Sequence, residues 1–205
     1  MFETLLGKGI KNLTYFSKGR RGLIYLGEYR KKQIIVKMRN PDSKAINRME
    51  NETAWLKRLN REDIGPRLLF SGKDYFCYEY VKGDFIIDFI GKSSKKEILR
   101  VIKGLFDQTY TLDKMKVDKE EMHMPFKHII VNKSKVTLLD FERCHSVEKP
   151  KNTTQFCQFV TCGRIGPLLK QKNIVIDESD IREAAARYKK NYTKMAFRNI
   201  LACIR

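Results

Sequence analysis

The chain has 205 residues, 42% apolar and 32% charged, enough for one large domain or two small lobes and too apolar for a disordered tail. No apolar run approaches a membrane span, and the opening MFETLLGKGIKNL lacks the long apolar stretch of a signal peptide, so the expectation is a cytoplasmic protein with no membrane partner. The formal charge of +18 is its most lopsided property, and such a field attracts polyanions: nucleic acid, nucleotides or an acidic protein.

Five cysteines (Cys77, Cys144, Cys157, Cys162 and Cys203) are odd in number and form no CxxC pair, which argues for reduced thiols and against a zinc site or a disulfide framework. In chain order, the first informative stretch is 16–38, FSKGRRGLIYLGEYRKKQIIVKM. Ser17, Gly19 and Gly22 have the spacing of a GxGxxG loop with Ser in the first place, and glycines there let backbone N–H groups approach a phosphate. The loop runs into a strand through Ile24 and Tyr25, a polar turn follows over 28–32 and a second strand over 33–37. The loop thus lies between strands and not between a strand and a helix, so it is not a Rossmann turn. Taken alone it is equally an ordinary hairpin turn. Lys37 interrupts the apolar run Ile34-Ile35-Val36, and either lies on a solvated face or points at a buried anion, because an unpaired buried ammonium is costly.

The next helix runs from a cap at Ser43 to about Leu59, with Ile46, Met49, Leu56 and Leu59 on one face and Glu52 on the same face. Glu52 is then either the partner of Lys37 or a carboxylate at the margin of the stripe. Gly65-Pro66 breaks the chain, strands are expected over 68–71 and 75–81, and Gly83-Asp84 marks a boundary between lobes 1–83 and 84–205. Ser94 and Glu97 have capping-box spacing and open a long helix to about Met115, with Ile98, Leu99, Val101, Ile102, Leu105, Phe106 and Leu112 on its buried face. A polar collection follows (Glu120, Glu121, His123, Lys127, His128), and then a hairpin of runs 129–131 and 136–139 that ends at Asp140. An acid at a strand's end is held rigidly near solvent, which suits a metal ligand. Residues 146–154 read as a polar loop, and 155–169 and 179–204 as helices. The last helix carries Arg182, Arg187, Lys189, Lys190, Lys194 and Arg198, a nucleic-acid face or an ordinary solvated one.

A glycine-rich turn, a strand Lys in IIVKM, a helix Glu in ENETAWLKRL, a strand running into YEYVKG and a later DFE come in the order of protein kinase motifs. The chain resembles the protein kinase-like superfamily, and within it the small archaeal predicted Ser/Thr kinases akin to RIO kinases and the small kinase of the KEOPS complex. The resemblance spans about 19–143. It implies an α+β, minimal bilobal fold: an antiparallel sheet plus one helix in the first lobe, and a reduced, mainly helical second lobe. It further implies that Gly19, Gly22 and Ile24 cover a nucleotide and that Lys37, paired with Glu52, contacts the α- and β-phosphates. Glu79 and Val81 would offer backbone groups to adenine, with Tyr78 behind it. Asp140 would hold Mg²⁺ or Mn²⁺.

The catalytic loop departs from that pattern. A kinase of this type shows HxD, four further residues and Asn before the next strand; His128 stands in the Asn place and His123 in that of the Asp. Either Glu121, the nearest acid, takes the base role or no general base remains. Lys127 either neutralises a transferring phosphoryl group or is simply solvated, and His128 either meets a metal or phosphate or only enters the strand. The expected function is therefore an atypical ATP-dependent kinase acting on a Ser or Thr hydroxyl of a protein substrate. The alternatives are a nucleotide-dependent pseudokinase and an RNA- or ribosome-associated factor led by its basic surface.

Overall fold

A computed structural model describes residues 2–19, 22–42 and 48–205. The expected helix cap Ser43, the face residue Ile46 and the loop arginines Arg20 and Arg21 lie outside them. The chain forms two compact units, Met1–Val81 with Asp140–Glu142, and Lys82–Leu139 with Arg143–Arg205.

In the first unit, a short helix α1 (Phe2–Gly7) precedes strands β1 (Lys11–Lys18), β2 (Gly22–Tyr29) and β3 (Lys32–Arg39). Helix α2 (Arg48–Leu59) follows, then a 3-10 turn at Asn60–Glu62 and strands β4 (Leu68–Gly72) and β5 (Tyr75–Glu79). The strands make one antiparallel sheet in the order β1-β2-β3-β5-β4. The polar turn expected over 28–32 is tighter than that: β2 runs to Tyr29, and Arg30 and Lys31 both take positive φ, as a two-residue hairpin connection requires.

Strand alternation divides the sheet's residues between two faces. Ile34, Val36 and Met38 of β3, with Tyr75 and Cys77 of β5, form one buried cluster with Leu5 of α1 and Ile10. Ile35 and Lys37, paired across the strands with Tyr78 and Phe76, point to the opposite face, and α2 contacts β4 and β5.

The second unit begins with β6 (Asp84–Phe85), α3 (Ile86–Lys92) and the long α4 (Lys95–Lys114). Ser94 and Glu97 complete the capping box that opens α4, and Ile98, Val101, Ile102, Leu105, Phe106 and Leu112 are buried, whereas Leu99 is only half-buried at the rim of that face. Strands β7 (Val117–Asp118), β8 (Ile129–Asn132), β9 (Lys135–Leu138) and β10 (His145–Ser146) make two small sheets, β10-β7 and β6-β8-β9. The last part is α5 (Asn152–Thr161), α6 (Gly166–Gln171), α7 (Glu178–Asn191) and α8 (Lys194–Ala202).

Each of the two helices expected at the C-terminal end is in fact a pair. The first breaks between Cys162 and Ile165, around Gly163, and Pro167, which lacks an N–H, sits in the first turn of α6, where none is needed. The second breaks at Tyr192, which takes φ 53°, and Thr193 then caps α8 by accepting from the Ala196 N–H at 3.3 Å. The expected polar loop over 146–154 is likewise shorter, since Ser146 belongs to β10 and α5 starts at Asn152.

Gly83 has φ +151°, and a Cβ there would run into the Val131 carbonyl oxygen, so Gly83→Ala is expected to lower stability by about 1–3 kcal/mol in denaturant unfolding. Among the cysteines, Cys77, Cys144 and Cys157 are buried and Cys162 and Cys203 half-buried, and burial pushes the Cys77 thiol up to about 12. A colorimetric thiol titration of the native protein should therefore count at most the two half-buried thiols, and all five only in denaturant; a native count above two would contradict this core.

Candidate active site

Lys37 is on the α2 side of the sheet because two-residue alternation puts Val36 and Met38 on the other side. Its Nζ donates to Glu52 Oε2 at 2.6 Å, with side-chain exposures of 16% and 6%. Burial opposes the Lys37 charge, but the carboxylates of Glu52 and Asp140 outweigh it and hold the ammonium above the ordinary lysine range. Burial pushes Glu52 upward, Lys37 opposes this and Asp140 adds to it. Breaking a buried pair by removing one partner costs about 3–5 kcal/mol, so each group stays in place because of the other.

Glu52 also reaches a distant piece of chain. Its Oε1 accepts from the Phe141 backbone N–H at 3.4 Å. Asn51 Nδ2 and Arg48 Nη1 donate to the Glu142 carbonyl at 2.9 and 3.3 Å. Phe141 is fully buried, and an added Cβ on Gly65 would lie 2.9 Å from its ring and 3.0 Å from Leu56. These contacts group Asp140–Glu142 with the first unit, whereas the sequence reading counts them in the second. Asp140 takes φ 63°, a strained backbone for a non-glycine residue.

Carboxylate oxygens of Glu52, Asp140 and Glu142 lie within 4.8 Å of one another. Three carboxylates against one ammonium leave an excess of negative charge, and a donor set made wholly of oxygen fits a hard divalent cation such as Mg²⁺ or Mn²⁺. Glu142 is an addition to the residues singled out from sequence. Its signal was the DFE triplet, where a kinase has DFG and thus no third side chain.

Around this group, the Gly19 N–H donates to the Gly22 carbonyl at 2.8 Å and closes the loop. A Cβ on Gly22 would press on Lys37 Cε at 3.2 Å and on the Met38 carbonyl at 3.2 Å, so glycine there leaves room for the lysine. Ile24 pairs with Lys37 in the β2–β3 register. Burial pushes the Tyr78 phenol far up, with Lys37 opposing, which brings Tyr78 into the electrostatics of the same group. Along the last strand, the Glu79 N–H donates to Arg67 O at 3.0 Å and the Tyr80 N–H to Gln33 O at 3.1 Å. The Glu79 carboxylate holds Lys32 at 3.1 Å, and Val81 follows half-buried.

Glu121, Lys127 and His128 belong to the second unit. Glu120 and Glu121 both take positive φ, and Glu121 Oε1 accepts from Arg143 Nη1 at 2.5 Å. Arg143 lies 3.9 Å from Glu120, and His145 Nδ1 is 3.5 Å from the same carboxylate. Lys127 and His123 are exposed. His128 immediately precedes β8: its N–H donates to Pro125 O at 3.0 Å, and its carbonyl accepts from the Leu139 N–H at 2.7 Å.

Helix α5 holds this loop. Asn152 Oδ1 accepts from the Lys119 N–H at 2.9 Å, its Nδ2 donates to Val117 O at 2.6 Å and to Asp113 at 2.8 Å, and Gln155 Oε1 accepts from the Met122 N–H at 3.0 Å. Asp113 also accepts from the Thr153 N–H and the Tyr188 hydroxyl; burial pushes its carboxyl up and these donors oppose the rise. Nothing in the sequence pointed to Asn152 or Gln155, because an amide at the start of a helix, or one turn into it, looks like any polar residue until its partners are known.

The fold has a solved counterpart. The crystal structure of the Rio2 kinase-ADP/Mg2+-phosphoaspartate complex from Chaetomium thermophilum matches with a TM-score of 0.63 and 14% sequence identity, over 98% of this chain and 73% of that one. The fold is protein kinase-like. No protein-family model matches the chain, and no curated protein matches it by sequence.

In this kinase-like chain, Asn152→Ala strands the Lys119 N–H and the Val117 carbonyl in a buried setting and should destabilise the second unit by about 2–4 kcal/mol. Denaturant unfolding measures the loss, and a cost within about 0.5 kcal/mol would refute the anchoring role of Asn152.

Proposed function

We propose that the chain is an atypical kinase-like phosphotransferase that uses Mg²⁺-ATP and transfers the γ-phosphate to a Ser or Thr hydroxyl of a protein. The observation that carries this reading is the buried Lys37–Glu52 pair with the Asp140 carboxylate beside it. Phosphoryl transfer depends mainly on placing and neutralising a triphosphate, and a fixed ammonium next to a carboxylate cluster supplies both. The Rio2 structure of similar fold contains ADP and Mg²⁺, which supports the choice of nucleotide and metal.

In this reading, Lys37 contacts the α- and β-phosphates and Glu52 keeps it aimed. Gly19 and Gly22 cover the phosphates, and Ile24 lies above the base. The Glu79 carbonyl and the Val81 N–H read the adenine edge, with Tyr78 closing the back of the pocket. Asp140, joined by Glu142, would hold the divalent cation, which when bound neutralises phosphate oxygens. Lys127 and His128 act on the transferring phosphoryl group, and Glu121 receives the hydroxyl proton.

One observation favours a second reading. Glu121 Oε1 is occupied by Arg143 Nη1 at 2.5 Å, so that oxygen must first release the guanidinium before it can take a hydroxyl proton. On that reading the chain is a nucleotide-dependent binding module that does little chemistry. The basic last helices lend less weight to an RNA-led function than their composition does: Arg182 and Arg187 are each paired with a glutamate one turn earlier, Glu178 and Glu183.

Transfer of label from ATP to a generic acceptor and to the chain itself, with Mg²⁺ or Mn²⁺, tests the choice. Wild type should incorporate label, Asp140→Asn should lose about 100-fold or more, and Glu121→Gln should lose transfer while keeping the nucleotide-induced rise in Tm. A Tm rise with no transfer selects the binding module. Absence of any nucleotide effect on Tm would sink both readings.

A further inference from the structure

Beyond nucleotide chemistry, the second unit carries a groove of about 570 Å³ on the outer face of α4, closed on one side by the β8–β9 turn. Its apolar part comes from Leu99 and from the bare backbone at Gly104, where an added Cβ would find nothing nearer than Val136 at 3.7 Å. Lys96, Arg100 and Lys103 line it from α4, and Lys133 and Lys135 flank it on the exposed turn around Ser134. Arg100 is held across the groove by a 3.2 Å hydrogen bond to Ser134 Oγ.

The groove gathers several cations that no carboxylate holds. Lys116, Arg182 and Arg187 have carboxylate partners, whereas among the described residues none of Lys96, Lys103, Lys133 and Lys135 is in an ion pair, a state they share with Lys189 and Lys190 on α7. What sets the groove apart is that these cations surround a concave apolar seat. Asp107 is the groove's one acid, and partial burial raises its carboxyl above the usual range.

We propose that the groove between α4 and the β8–β9 turn binds an acidic, extended peptide segment of a partner protein, with an aliphatic side chain seated over Gly104. Charge complementarity selects an anionic partner. The lining residues include no aromatic ring on which a base would stack, and Leu99 with the bare backbone of Gly104 offers an apolar seat that a sugar-phosphate chain does not use. Lys96 and Lys103 are two helical turns apart, about 10 Å, which a peptide in the extended polyproline II conformation spans in about three residues, one full turn that returns every third side chain to the same face. The fitting motif therefore has an acid at every third position and an aliphatic residue between. This site stands whether or not the chain transfers phosphate.

The probe is a fluorescein-labelled peptide of Glu-Leu-Ser repeats about twelve residues long, titrated with the full chain at about 150 mM salt and read by anisotropy. Saturable binding should be weakened about ten-fold or more by Lys96→Glu with Lys103→Glu, and by replacing every Leu of the peptide with Ser. The charge-matched control Lys189→Glu with Lys190→Glu on α7 should change affinity less than about two-fold. Gly104→Leu fills the groove, suits a helix better than glycine, and should remove binding with the circular dichroism unchanged. Four outcomes overturn the proposal: no saturable binding, equal affinity for the Leu-free peptide, an equal loss in the α7 control, or no loss in Gly104→Leu. An oligouridine of the same length that binds more tightly, and is lost with Lys96→Glu and Lys103→Glu, would make the groove a nucleic-acid site instead.

Discussion

One carboxylate organises the candidate site. Glu52 accepts from Lys37 with one oxygen and from the Phe141 backbone with the other, so a helix, a central strand and a segment nearly ninety residues later in sequence share a single buried charge. The arrangement is stable only as a set. Remove the ammonium and a buried carboxylate is left uncompensated; move Phe141 from beside Gly65 and Leu56 and the Asp140 carboxylate moves with it. A site whose parts lock one another in this way is preorganised, which is the property that charge neutralisation in phosphoryl transfer calls for.

The loop of the second unit is fixed by different means. Its backbone carries several residues at positive φ, and no strand ladder runs through Glu120 and Glu121. The amides of Asn152 and Gln155 supply the missing hydrogen bonds, and Asp113 anchors Asn152 in turn through a fully buried network with Thr153 and Tyr188. Buried polar networks of this kind tolerate the loss of a member poorly, since each partner left behind is desolvated with nothing to bond. They hold the backbone of the loop while leaving the Glu121 side chain to Arg143.

The order of β2, β3, α2, β4 and β5 was legible because it rests on local patterns: alternation in β3, helical spacing in α2, and turn residues between strands; the short helix α1 was not read. The Lys37–Glu52 pair was legible for a related reason, since a lone cation in an apolar strand and a lone acid on an apolar helix face each demand a partner. The capping box at Ser94 and Glu97 is more local still. The C-terminal helices were misread as two because an apolar stripe continues across both breaks, while the break signals, Gly163 to Pro167 and the left-handed Tyr192, depend on which carbonyls are capped.

The amino-acid sequence by itself determined the strand and helix pattern, the kinase-like order of motifs and the excess of positive charge, because periodicity, turn chemistry and composition act over a few residues at a time. Only the tertiary structure decided that Glu142 joins Glu52 and Asp140, that Arg143 occupies Glu121, that α5 carries the loop, and that the two arginines of α7 are paired with glutamates while, among the described residues, the lysines beside Gly104 are in no ion pair. Each of these is a matter of distance between side chains remote in sequence or of which neighbour a charge meets first. Such distances depend on packing, which no local pattern records.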